Sequence, residues 1–162
     1  EAWKSNIATF GQIEAPTTGL RTAAEYLTLR DPAIAAPVFD YREFLSETTA
    51  EQIVNVCRIC KEESGGRKIA GVFYGYAMCL SGWDENRLAN IGFQALEKVL
   101  ESSNVDFICS PTDYRERRGG EAGSFLSACL ASYRTRNKLY WDEADIRTHL
   151  FDKNEYGRTD SL

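Results

Sequence analysis

The chain has 162 residues, 43% of them apolar, with 24 acidic side chains against 19 Lys and Arg and a formal net charge of −5. That length suits one domain with a real core. The acidic balance argues against a nucleic-acid partner, and no apolar run approaches the roughly 20 residues a membrane helix needs.

Residues 1–40 read as a long ordered connection. Leu20 to Leu29 has the composition of a short helix, while Pro16, Gly19, Pro32 and Pro37 punctuate the stretch. A helix is expected next. Asp40 is its candidate N-cap, with Glu43 at the capping-box spacing and Thr49 with Gln52 as a second possible start. Tyr41, Phe44, Leu45, Ile53, Val56, Cys57 and Cys60 follow the helical period, and Gly65-Gly66 ends it.

Lys68 to Tyr76 is short, apolar and β-prone, as expected of a parallel strand buried on both faces. Asn86 to Glu101 reads as a helix, Val105 to Ser110 as a second buried strand stopped by Pro111, and residues 124–136 as another helix. Lys138 to Asp142 is a third strand, and residues 152–162 form a polar tail. Helices alternating with buried strands over 41–151 predict an α/β fold of right-handed parallel βαβ units. Neither a GxGxxG nor a phosphate-loop pattern follows a strand.

Cys57 and Cys60 form a CxxC inside the first long helix. Zinc would need two more ligands, so core packing is the simpler reading. The five cysteines are odd in number and widely scattered, which does not suggest a disulfide framework. Arg115, Arg117 and Arg118 read as a solvated loop. His149, the one histidine, has no Ser or Cys partner in a recognisable motif.

In parallel α/β folds the chemistry collects at the C-terminal ends of the strands. Those ends carry Tyr74 and Tyr76, then Ser110 with Tyr114 beyond, then Trp141, Asp142 and Glu143 with Asp145 and Arg147 beyond. Aromatics, hydroxyls and carboxylates on one rim suit a carbohydrate: aromatic rings cover its C–H face and carboxylates accept from its hydroxyls. Each residue also has a plainer role. Glu143 suits the first turn of a helix over 143–151, the tyrosines suit half-buried packing, and Trp141 suits a core.

The segments KIAGVFYGY, ALEKVLES, VDFICSPTDYRERRGGEAGSF and KLYWDEADIRTHL resemble the C-terminal half of the catalytic barrel in glycoside hydrolases related to family 42 β-galactosidases. The resemblance covers Lys68 to Leu150, with Phe93 and Arg136 where relatives often carry histidine. It implies that residues 1–162 are part of a (β/α)8 TIM barrel and that the three strands are its fifth, sixth and seventh. It further implies that Glu143 is the nucleophile of a retaining enzyme acting on a β-galactoside-like substrate. The strand-end residues Tyr74, Tyr76, Ser110, Tyr114, Trp141, Asp145 and Arg147 are then the candidates for contact with the sugar, and Asp145 and Arg147 equally suit a pair with each other or the orienting of Glu143. No metal or cofactor is implied. The acid/base carboxylate has no evident candidate, so the remainder of the barrel is expected from a longer chain or a second copy. A non-catalytic carbohydrate-binding or assembly module is the alternative.

Overall fold

A computed structural model describes residues 7–22, 31–75, 91–111 and 128–144. After a 3-10 turn at Phe10–Gln12 come helix α1 (Thr18–Thr22), the long helix α2 (Pro32–Glu63), strand β1 (Gly71–Phe73), helix α3 (Leu96–Glu101), strand β2 (Phe107–Pro111), helix α4 (Leu130–Arg134) and strand β3 (Leu139–Glu143). The strands form one parallel sheet in the order β1-β2-β3, as the alternation of elements predicts.

Helix α2 begins eight residues before the expected cap, so Asp40 and Thr49 lie inside it. Pro32 is not a breaker but the first helical residue, where its missing N–H is no loss and its φ suits a helix. The Asp31 carbonyl opens the ladder, accepting from Ile34 and Ala35 at 3.0 and 2.9 Å. Pro37 falls in the second turn, where it removes the bond to the Ala33 carbonyl and its ring crowds that carbonyl. The 26 residues after it outweigh that local cost, about 3 kcal/mol. The expected stop holds. Gly65 and Gly66 both have positive φ, 59° and 73°, and the Gly66 and Gly65 N–H groups donate back to Lys61 and Glu62 at 2.8 and 3.0 Å. That is the Schellman pattern.

The sequential strand order means that both crossovers step the same way across the sheet. Right-handed crossovers of that kind place their helices on one face. Val72, Ile108 and Tyr140 share a rung on that face. Ile108 is buried with Ala50 and Cys57 of α2, Val99 and Leu100 of α3, and Tyr133 of α4; Val72 and Tyr140 pack against this core. The other face is open over β1 and β3, while Cys109 and Pro111 of β2 are buried there. Phe73 and Leu139 are each 53% exposed and Trp141 45%. The expectation of strands buried on both faces therefore fails for β1 and β3. An apolar run shows that a strand shuns water, but not which layer covers it.

Helices α3 and α4 are shorter than expected. Of the helix expected over Asn86 to Glu101, residues 86–90 lie outside the described residues and residues 91–95 are not helical; at Gly92 the chain presses against α2, where a Cβ would lie 2.3 Å from Thr49 Oγ1 and 2.7 Å from the Leu45 carbonyl. In the 124–136 prediction, Ala128 and Cys129 are not helical, and residues 124–127 lie outside the described residues. Helix α4 ends like α2, with Asn137 at φ 54° and the Lys138 and Asn137 N–H groups donating to Tyr133 and Arg134 at 3.0 and 3.2 Å.

Charged groups pin the N-terminal pole of the sheet. Asp106 and Ala70 bond reciprocally: each N–H donates to the other residue, at 2.7 Å in both directions, with Asp106 using its carboxylate as acceptor. Lys61 Nζ lies 2.5 Å from the same carboxylate. Lys138 Nζ donates to the Ser102 and Val105 carbonyls at 2.6 Å. Burial alone would raise the Asp106 pKa, but the Lys61 and Ala70 hydrogen bonds and the charges of Lys61 and Lys138 bring it below the ordinary value.

Candidate functional site

Side chains along a strand alternate between faces, and this decides what each strand end can offer. On the open face, Gly71, Phe107 and Leu139 form one rung and Phe73, Cys109 and Trp141 the next; Pro111 and Glu143 close the sheet at its C-terminal edge. The Phe107 ring leans over Gly71, where a Cβ would fall 2.5 Å from the ring, and it stacks on Trp141 at 3.9 Å and 16°. Glycine in β1 thus makes room for an aromatic pair that runs diagonally towards Glu143.

Glu143 sits half-buried at the end of β3 on this open face, and Asp142 beside it is exposed. Burial pushes the Cys109 thiol pKa up, and the carboxylates of Glu143 and then Asp142 push it further. The C-terminal edge thus carries two carboxylates, Asp142 and Glu143, beside an apolar floor of Phe73, Phe107, Leu139 and Trp141.

Tyr74 and Ser110, expected at this rim, are fully buried on the helix side. The Tyr74 hydroxyl donates to the Gly92 carbonyl at 2.9 Å, and its ring meets Phe93 edge-on at 4.9 Å. Burial raises its pKa to about 12, against a lowering hydrogen bond from the Ala95 backbone. Ser110 Oγ shares a hydrogen bond with Tyr140 Oη at 2.8 Å. Both residues hold the framework together and do not face the open side. Alternation within each strand puts Tyr74 with Val72 and Ser110 with Ile108, on the face opposite Trp141. Tyr140, which the sequence did not single out, emerges as a link between strand ends.

Tyr76, Tyr114, Asp145 and Arg147 lie outside the described residues. Arg136 pairs with Glu97 and Glu101 of α3 at 2.9 and 3.7 Å. Cys57 is buried, as the core-packing reading expects, but Cys60 is exposed, so that reading fails for it. Among the described residues no group of three or more His, Cys, Asp or Glu side chains could hold a metal ion, and no helix is long and apolar enough to cross a membrane. A cavity of about 380 Å³ between α2 and the entry to α3 is lined by Phe39, Arg42, Glu43, Ser46, Glu47, Gln94 and Ala95, none of them a rim residue.

No family model, curated protein or solved structure matches the chain.

Proposed function

We propose that the chain is part of the catalytic barrel of a retaining glycoside hydrolase acting on β-galactoside-like substrates, with Glu143 as its nucleophile. The observation that carries this reading is the position of Glu143. It stands at the C-terminal end of a strand, on the face opposite the helices, in a parallel sheet wound in one direction. In a barrel that face is the interior and that end is the active-site mouth. The apolar floor below is of the kind that the filled interior of a barrel requires.

In this reading the Glu143 carboxylate attacks the anomeric carbon while a second carboxyl group, about 5–5.5 Å away, protonates the leaving oxygen. Water then releases the sugar, with the second group acting as base. That second carboxyl group belongs to strands beyond the three described. Asp145, Arg147, Tyr76 and Tyr114 follow the β3, β1 and β2 ends in sequence and remain candidates for the sugar hydroxyls.

The test is hydrolysis of para-nitrophenyl β-galactoside by the full-length protein. Glu143→Gln is expected to lower kcat by several orders of magnitude, as loss of the group that forms the intermediate must, with little change in thermal stability. Wild-type turnover in that variant would remove Glu143 from the reaction. The Trp141–Phe107 stack on an open face equally suits a module that binds carbohydrate without cleaving it. Saturable galactoside binding without turnover in the wild-type protein would select that second reading.

A further inference from the structure

We infer that Ser110 and Tyr140 form a positioning pair that sets the placement of Glu143. The inference rests on the hydrolase reading for its catalytic consequence but not for its structural one. Their hydroxyls meet at 2.8 Å, tying β2 to β3 from the helix side. The tie lies next to the terminal rung, in which Pro111 pairs with Glu143. Ser110 is fully buried, so its hydroxyl depends on this partner. The Tyr140 ring meets buried Tyr133 edge-on at 5.3 Å, so the bond is aimed by packing. Glu143 itself is on the last residue of the strand. Its side chain inherits any play in the end of β3, and the Ser110–Tyr140 bond is a side-chain restraint on that play beyond the backbone ladder.

Misplacing a reacting group by about 1 Å costs on the order of a hundredfold in rate. The test compares wild type, Tyr140→Phe, the double variant Tyr140→Phe with Ser110→Ala, and Glu143→Gln in the full-length protein. The double variant removes both hydroxyls of the pair, so neither is left buried without the other. It is expected to lose about ten- to a hundredfold in kcat with KM unchanged, and to exchange amide hydrogens faster from Trp141 to Ala144 while Ile108 keeps its protection. Unchanged exchange at the β3 end would overturn the positioning role. So would a general loss of protection with kcat and KM shifting together, since that is a fold defect. If wild type does not hydrolyse the galactoside, or Glu143→Gln keeps full activity, the hydrolase reading fails, and the exchange comparison still decides the role of the pair.

Discussion

The Tyr74 hydroxyl donates to the Gly92 carbonyl at 2.9 Å, across 18 residues of sequence. The bond anchors the returning chain on the core just where Gly92 slides against Thr49 and Leu45 of α2. Two substitutions should therefore hurt for different reasons. Tyr74→Phe leaves a buried carbonyl without its donor and should cost about 1–3 kcal/mol. Gly92→Ala puts a methyl group into the α2 backbone and should cost about 1–3 kcal/mol through overpacking. Urea denaturation midpoints measure both, and wild-type stability in either variant would mean the crossing is not held as described.

The same replacement at Tyr133 should have the opposite sign. Tyr133 is as buried as Tyr74, yet its hydroxyl makes no hydrogen bond to a described residue. Removing a buried, unpaired hydroxyl while keeping the ring relieves a desolvation cost. Tyr133→Phe is expected to leave stability unchanged or raise it by up to about 1 kcal/mol. A loss of stability would reveal a partner, such as a bound water.

Alkaline pH should expose both phenols. Burial pushes Tyr74 and Tyr133 up to about 12 from an ordinary 10.0. Between those values the unfolded chain loses these protons and the folded one keeps them. Their contribution is complete below pH 10 and disappears as pH rises towards 12. The fall in denaturation midpoint between about pH 9 and about pH 11 should be shallower in Tyr74→Phe with Tyr133→Phe than in wild type. Equal slopes would place the alkaline sensitivity elsewhere.

Acid should act through Asp106. Its folded pKa lies below the ordinary 3.8, so its contribution is present above that value and is lost as pH falls through the folded pKa. Asp106→Asn is expected to lower the denaturation midpoint at neutral pH and to flatten its decline in acid. A variant that still declines as steeply as wild type would clear the Asp106–Lys61 pair of that role.

The alternation of helices and strands was legible in the sequence because periodicity reports which side of each segment avoids water. What it missed arises between segments. The early start of α2 was hidden by Pro32 and Pro37, whose effect depends on their place in a helix. The close approach of Gly92 to Thr49, beside the non-helical residues 91–95, is a tertiary contact that no local pattern records. At the rim, proximity to a strand end was read as membership of a site. Tyr74 and Ser110 meet the first condition, but Val72, Ile108 and Tyr140 share their face, so they belong to the framework. Glu143 and Trp141 lie two apart on β3 and so share the opposite face, an alternation the sequence shows within a strand, whereas which face the helices cover needed the register between strands.

The chain turns from helix into strand twice by the same device, at Gly65-Gly66 and at Asn137-Lys138. Both turns lie at the pole where Lys61, Asp106 and Lys138 fasten α2, α3 and the strands together. The chain after Gly75, Pro111 and Ala144 departs from the opposite pole. Alignment is thus fixed at one end of the sheet, and the recognition we propose falls at the other. Under that proposal, replacements at the rim change what is bound without disturbing how the strands align, a layout on which new specificities can be selected while the scaffold stays as it is.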